Sequence, residues 1–432
     1  MSEKSHLVYK FRIYPSPQAT ALLKQWMNDS RWIWNWALGQ RLNFQNLGLD
    51  ISYYKQASIF TKIKNTEPCN FLSNIPRNVA DHILRDLDLA WQRSKNKNLD
   101  FNKPKFKKKF VDEITSLTEP SLNQFVIGNN WIRFPKIKEK IRCNMHRKMI
   151  GTPCKINISL DVDKWYVCIT NSIDSSIKVH PNPGTSVGLD RGVVNVLADS
   201  NGILIPNPRF GKKMSEKITR HQKNLSRKVK GSKNYIKEKT KLAKDHQKVR
   251  YQRKDHNDKL THSYSKSQEI IVVEDLKVKG MTSSSRKKTA QSAVKTESGR
   301  VTKIAYKAAL NAAILDVGWG QIKTMLEYKT RKFGGQLFKV NPAYSSQECS
   351  ECDHIDENNR KSQSLFCCTK CGHSENADTN GAKVILKRYF RLLAEQNSRR
   401  SVGEAVCGGA LSAPKKQKLF VVRRKLSKVS NT

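Results

Sequence analysis

The sequence predicts an α+β protein of several domains, and three observations carry that prediction. Helical periodicity from Gln18 to Gln92 gives way to short alternating strands between Ile114 and Ile173. A second block opens at Ser186 with strand, turn and strand. Two Cys-x-x-Cys pairs, Cys349/Cys352 and Cys368/Cys371, then interrupt the chain just before a last helical stretch.

Charge narrows the function. Lys plus Arg number 80 against 37 acids, a net charge of +43 over 432 residues. A compact fold with that charge repels itself, and nucleic acid is the obvious polyanion to offset it. Solubility alone needs a small fraction of it. The first apolar stretch, Leu7 to Tyr14, is broken by Lys10 and Arg12. No uncharged apolar run approaches the ~20 residues that span a bilayer, so a soluble, cytoplasmic protein with no membrane partner is expected. The ten cysteines do not make a disulfide scaffold in so long a chain, and four of them have metal spacing.

The elements follow in order. Leu7 to Ile13 reads as a strand, ended by Pro15 and Pro17, with Ser16 as a helix cap. Gln18 to Phe44 is helical, with Leu22, Leu23, Trp26, Ile33, Trp34, Trp36, Ala37 and Leu38 on a broad apolar face. Helical spacing makes the tryptophans core residues rather than base-stacking platforms. Asn35 within that face has no packing explanation. Asp50 to Asn65 and Ile75 to Gln92 complete a helical module. Ser94 to Phe110 is a basic linker whose Phe101, Phe106 and Phe110 suit backbone contact plus stacking. The strands at Gln124–Ile127, Trp131–Phe134, Ile141–Cys143, Cys154–Leu160 and Trp165–Ile169 predict a small barrel or sandwich, which the N-terminal strand could join.

After a linker at His180 to Gly184, Val187 to Gly202 fits the opening hairpin of an RNase H-like sheet. Lys212 to Tyr264 is a basic helical pair broken at Gly231-Ser232, and Gln268 to Glu274 a buried strand ending in acids. Thr282 to Arg300 reads as a flexible loop, Lys307 to Lys332 as one helix and Gln336 to Val340 as a strand. A basic, disordered tail is expected after Asn397.

The chemistry sits on few residues. Four thiolates at Cys349, Cys352, Cys368 and Cys371 suit tetrahedral Zn²⁺ in a zinc ribbon. Cys367 abuts this set and is not expected to be a ligand. Asp190 and Glu274 end apolar strands, and Asp378 opens a helix directly after the ribbon. Three carboxylates without histidine suit hard cations, Mg²⁺ or Mn²⁺, which activate water and stabilise a leaving oxygen in phosphodiester cleavage. Asp199, in a turn, and Asp275, on the opposite strand face from Glu274, are less well placed.

The stretches YKFRIYPSPQ…SRWIWNWAL, VGLDRGV, KGSKNYIKEK…VRYQRKD, IIVVEDLKVKGM, VNPAYSSQECSEC and FCCTKCGHSENADTNGA together resemble TnpB (OrfB-type transposase). This is the family of transposon-encoded RNA-guided DNA endonucleases related to type V CRISPR effectors. The resemblance runs to about Leu386. It implies a wedge-like β-barrel (1–14 and 106–180) and an inserted helical recognition lobe (15–105). It further implies an RNase H-like (RuvC) nuclease domain (184–342 and 376–396), an inserted zinc ribbon (343–375) and a basic tail (397–432). Asp190, Glu274 and Asp378 then fill the RuvC-like catalytic, magnesium-binding positions, and the four cysteines the zinc positions. The implied partners are a guide RNA from the transposon end and double-stranded target DNA beside a short motif. Asp353, where the family commonly has Gly, and the doubled Cys367-Cys368 depart from the pattern. A nuclease-silent RNA-guided regulator and a miniature CRISPR-associated effector are the alternatives; the intact acids favour an enzyme. No His-x-His motif with a nucleophilic tyrosine supports strand transfer.

Overall fold

The computed structural model describes residues 4–96, 101–108, 114–174, 179–283 and 303–404. The chain divides into two compact units, Met1–Ile177 with Met214–Arg250, and Lys178–Lys213 with Tyr251–Thr432.

The first unit begins with β1 (Lys4–Tyr14), α1 (Pro17–Asn46), α2 (Tyr53–Ile63) and α3 (Arg77–Lys95). Ser16 caps α1 by accepting the Ala19 amide at 3.1 Å, and Pro17 occupies the first turn, where no amide donor is needed. Six strands follow: β2 (Ser116–Glu119), β3 (Val126–Ile127), β4 (Trp131–Arg133), β5 (Ile141–Asn144), β6 (Thr152–Asp161) and β7 (Lys164–Asp174). They join β1 in one sheet of order β2-β6-β7-β1-β5-β4-β3. The N-terminal strand thus sits mid-sheet, antiparallel to β5 and β7. Among the described residues β2 and β3 stand at the two ends of this order, with no pairing between them.

Alternation along β1 sends Tyr9, Phe11 and Ile13 inward, where they share a core with Leu23, Trp26, Ile33, Leu84 and Leu87 of the helices. Trp32 and Trp36 stack at 6.2 Å and pack against that core, so the tryptophans are indeed packing residues. Asn35 has a different task. Its carboxamide donates to Lys107 O at 3.0 Å and accepts from Lys107 N at 2.8 Å, while Trp34 Nε1 donates to Lys105 O at 3.1 Å. The basic linker is held along α1; its Phe110 lies outside the described residues.

The second unit opens with β8 (Ser186–Asp190), β9 (Asn195–Asp199) and β10 (Leu204–Pro206). Helices α4 (Phe210–Ser226) and α5 (Lys233–Ser267), which between Met214 and Arg250 belong to the first unit, are separated by a turn in which Gly231 has φ +90°. Then come β11 (Ile270–Glu274), α6 (Val278–Met281), α7 (Lys303–Val317), α8 (Trp319–Phe333) and β12 (Gln336–Val340). The expected single helix Lys307–Lys332 is two helices. Gly318 adopts φ +78°, a left-handed conformation that breaks the ladder and that glycine enters without a Cβ penalty. The expected loop Thr282–Arg300 lies outside the described residues beyond Ser283. The last elements are β13 (Leu365–Cys367), β14 (Ser374–Asn376) and α9 (Ala377–Glu404). Helix α9 runs past Asn397, within the stretch where a disordered tail is expected; residues after Glu404 lie outside the described ones.

The second sheet has the order β10-β9-β8-β11-β12, with β11 parallel to β8 and β12 and the β8-β9-β10 meander antiparallel. Its inner strands β8, β9 and β11 are buried over most of their length. Val187, Leu189, Ile271 and Val273 face a core with Ile314, Trp319, Ile322 and Leu326, while Val272 and Val340 face Ile385 and Tyr389 of α9. Gly188 lies on the α9 side. A Cβ there would stand 2.1 Å from Ala382 O and 2.9 Å from Leu386 N, both fixed backbone atoms. Gly188→Ala is therefore expected to cost about 3 kcal/mol, read as a fall in thermal midpoint, because α9 must lift from β8.

Candidate active site and cysteine cluster

The alternation that buries β8 and β11 also aims their last residues. Leu189 and Val273 are paired neighbours facing the helical core. Asp190 and Glu274, one residue on, belong to the α9 face at adjacent ends of parallel strands. Asp378 lies in the first turn of α9, which the bare backbone at Gly188 lets close in. A Cβ on Gly381, one turn later, would come 3.2 Å from Asp190 Oδ2. The fold thus brings together three acids separated by up to 188 positions in sequence.

Their electrostatics register the crowding. Burial, then the charges of Glu274 and Asp378, push the half-buried Asp190 up to about 7, with Arg360 pulling the other way. Glu274 and Asp378 are buried. Ser345 Oγ donates to Glu274 Oε1, Asn195 Nδ2 to Asp378 Oδ2 at 3.0 Å, and Arg360 Nη2 to Asp378 Oδ1 at 3.2 Å. Beneath them Arg191, 3 % exposed, donates through Nη2 to the Glu274 carbonyl. The acids do not form a tight cluster. Among the described residues the four cysteines alone bring metal-ligating atoms within 4.8 Å of one another. An all-oxygen, mutually repelling donor set still fits hard divalent cations, which would relieve the repulsion.

Ser345, Asn195, Arg191 and Arg360 escaped the sequence argument. Arg191 and Asn195 flank the Asp190 turn, and Arg360 sits midway between the Cys pairs, but nothing in their periodicity points at the acids. The less favoured acids have other partners. Asp199 accepts the Asn201 and Ile203 amides and the Tyr264 hydroxyl, which makes it a turn anchor. Asp275 pairs with Lys323 of α8 at 3.3 Å, away from the α9 face.

The cysteines build two equivalent knuckles. The amide of Cys349 donates to His354 O and that of Asp353 to Cys349 O; the amide of Cys368 donates to His373 O and that of Gly372 to Cys368 O. Asp353 (φ +64°) and Gly372 (φ +73°) hold matching left-handed positions, and Asp tolerates that conformation better than most residues. The departure from glycine therefore leaves the turn intact. Sulfur separations of 3.7 Å (Cys349–Cys371) and 3.6 Å (Cys352–Cys368) match the ~3.8 Å edge of a zinc–thiolate tetrahedron. Burial pushes the Cys349 thiol up to about 12. At Cys368 burial acts in the same direction, but the amides of Cys371 and Lys370 and the neighbouring thiols outweigh it and bring it down to about 6. Cys367 lies on β13, outside the four-sulfur group.

The first knuckle is fastened to α9. Asn380, fully buried, donates to Glu348 O at 2.8 Å and accepts from Ser350 N at 2.9 Å. Arg388 and Arg391 grip the Glu348 carboxylate at 2.6 and 2.7 Å, and Lys387 reaches Ser350 O at 2.9 Å. The helix that carries Asp378 is thus fixed to the cysteine cluster.

Family profiles match three segments: "Cas12f1-like, TNB domain" over 319–385, "Probable transposase" over 166–285 and "Helix-turn-helix domain" over 1–43. The last segment is here a strand and one unbroken helix. InsQ of Escherichia coli (strain K12), named as a candidate RNA-guided DNA endonuclease, is 34% identical over 387 residues, 89% of this chain and 93% of that protein. A Streptomyces pristinaespiralis protein with the same description is 25% identical over 391 residues, 89% of this chain and 90% of that one. A solved Cas12f1–sgRNA–target DNA complex aligns with a TM-score of 0.49 at 16% identity, covering 86% of this chain and 83% of that chain. None of the described helices is long and apolar enough to cross a membrane.

Proposed function

Since the chain belongs to the TnpB family of OrfB-type, transposon-encoded proteins, we propose that it is an RNA-guided endonuclease that cuts double-stranded DNA beside a short adjacent motif. A guide RNA derived from the transposon end selects the target by base pairing, and the net charge of +43 offsets the phosphates of guide and target. Asp190, Glu274 and Asp378 are the catalytic acids. The observation that carries this reading is geometric: Asp190 and Glu274 end two adjacent parallel strands on the face that α9 covers, and Asp378 lies in the first turn of that helix. The order and direction of its strands support an RNase H-like, RuvC-type domain, with the seven-stranded sheet as the wedge, α1–α3 as the recognition lobe and the cysteine knuckles as a zinc ribbon.

Bound Mg²⁺ or Mn²⁺ would supply an activated water and charge stabilisation at the phosphate. The chain's own residues orient the acids. Ser345 fixes one Glu274 oxygen, Asn195 and Arg360 hold Asp378 from both oxygens, and Arg191 ties down the Glu274 backbone. The Arg360 guanidinium also brings positive charge to the place where the scissile phosphate would sit.

Purified full-length protein is expected to carry a discrete RNA, and sequencing it should reveal a segment complementary to DNA that the complex cuts. An RNA-free preparation cutting the same DNA equally well would overturn the guided mechanism.

A further inference from the structure

Arg191 is buried at a cost that packing does not explain. Its Nη2 donates to the Glu274 carbonyl, but Nε and Nη1 are enclosed with no hydrogen-bond partner among the described residues. A guanidinium held by a single hydrogen bond is costly to take out of water. An unbranched apolar side chain of similar length, such as methionine, would fill the same space without that cost. What methionine could not supply is the charge.

The charge stands behind the acids. Asp190 is the preceding residue, and the bond to the Glu274 carbonyl brings the guanidinium to the second acid. The turn that carries Arg191 is fixed: Trp319 Nε1 donates to Gly192 O at 3.1 Å, and a Cβ on Gly192 would come 2.7 Å from Asn195 O. Burial lowers the guanidinium, the charges of Glu274, Asp190 and Asp275 work against that, and arginine keeps its proton in folded proteins. Arg360 is a different kind of cation. It meets Asp378 at 3.2 Å from the irregular chain between the knuckles, and its side chain is 25% exposed, so it can turn toward another anion. Arg191, buried on a fixed turn, cannot.

Charge balance then limits what the site can hold. Asp275 is matched by Lys323. Three ionised carboxylates against two guanidiniums leave one net negative charge, which a single divalent ion already reverses. A second divalent ion would enter a positive, partly buried site against Coulomb repulsion, unless an anion such as a phosphodiester came with it. Resting on the metal-site reading above, we infer that Arg191 is a built-in counter-charge that holds the DNA-free site to one divalent ion and sets how tightly that ion binds.

The test uses full-length, zinc-loaded protein with its co-purifying RNA and Mn²⁺ as the probe, bound ion being counted from the EPR signal of the free ion. It is run at about pH 8, above the range in which Asp190 takes a proton. An Asp190→Asn/Asp378→Asn double variant is the blank for ions held by RNA. The parent should bind one ion more than the blank. Arg191→Met should bind that ion about 10- to 100-fold more tightly and take up a second, because a neighbouring positive charge is gone. Arg191→Lys, which keeps a charge among the same acids, should bind Mn²⁺ within about 3-fold of the parent. A mere anchor of the Glu274 backbone has the opposite sign: its removal would loosen the acids and weaken binding. Equal or weaker binding in Arg191→Met, or the same tightening in Arg191→Lys, would therefore overturn the inference. The parent count needs no Arg191 variant and decides the matter even where methionine prevents folding. Two ions beyond the blank in the DNA-free parent would overturn this inference alone; none beyond the blank would overturn the metal-site reading and this inference with it.

Discussion

Asp190→Asn is expected to cut target DNA about 10³-fold more slowly or worse, a loss of about 4 kcal/mol of transition-state stabilisation, while RNA-dependent DNA binding persists. Asparagine keeps the shape that meets Gly381, so the fold should survive; what goes is one of the three charges proposed to hold a divalent ion. The pH dependence has a definite sign. The Asp190 carboxyl, ordinarily near 3.8, stands near 7 in the metal-free fold because of burial and its acidic neighbours. The folded state therefore holds this proton more tightly than the unfolded chain. Stability without metal should fall as pH rises from about 4 to about 7, and Mg²⁺ or Mn²⁺ should bind more tightly over the same rise. In buffer without magnesium or manganese, with the cysteine cluster kept zinc-loaded, the asparagine variant above pH 7 should melt at a higher temperature than the parent, since it lacks the disfavoured charge. Single-turnover cleavage, metal titration and melting across pH measure all three. Parental cleavage rates in the variant would remove Asp190 from the site.

Much of this site was legible because strand periodicity and strand ends leave a plain mark. VGLD and IIVVE are apolar runs buried on both faces that end in an acid, and the alternation of β11 also separates Glu274 from Asp275. The cysteine spacing names its own chemistry. The helpers left no such mark. Ser345 and Arg360 reach the acids through the irregular chain around the knuckles, where no period relates sequence to direction. Asn35 was noticed as out of place on an apolar face, yet its partner at Lys107 lies 72 residues away. Gly318 broke a helix whose hydrophobic period continued through it, because periodicity reports faces and is blind to a single left-handed residue. The pairing order of the seven strands was less legible, since strand count does not fix which edges meet.

Cys349→Ser is expected to abolish the zinc stoichiometry and unfold the knuckles, and the damage should travel to Asp378. Metal and fold are coupled here: a structural zinc contributes about 10–16 kcal/mol of apparent binding energy in small domains, and β13 and β14 together supply only a two-stranded ladder. Cys349 is fully buried, so serine in its place removes one of four sulfur ligands where nothing from solvent can replace it, and leaves a site that cannot close around the ion. The adjoining residues Glu348 and Ser350 are those that Asn380, Lys387, Arg388 and Arg391 of α9 hold. Once that knuckle loosens, Arg388 and Arg391 lose the Glu348 carboxylate they share, and the first turn of α9 loses its Asn380 anchor. Arg360, between the two knuckles, should also leave Asp378. Cleavage should then fall about 10²-fold or more, and RNA should still co-purify with the chain. Hydrogen exchange should rise in β13, β14 and the start of α9 before it rises in β8 or β11. Cys367→Ser, outside the four-sulfur group, should keep zinc, stability and activity. Full zinc content in the Cys349 variant, or loss of zinc in the Cys367 variant, would redraw the ligand set. Intact cleavage by a zinc-free chain would show that Asp378 is held by β8 packing alone.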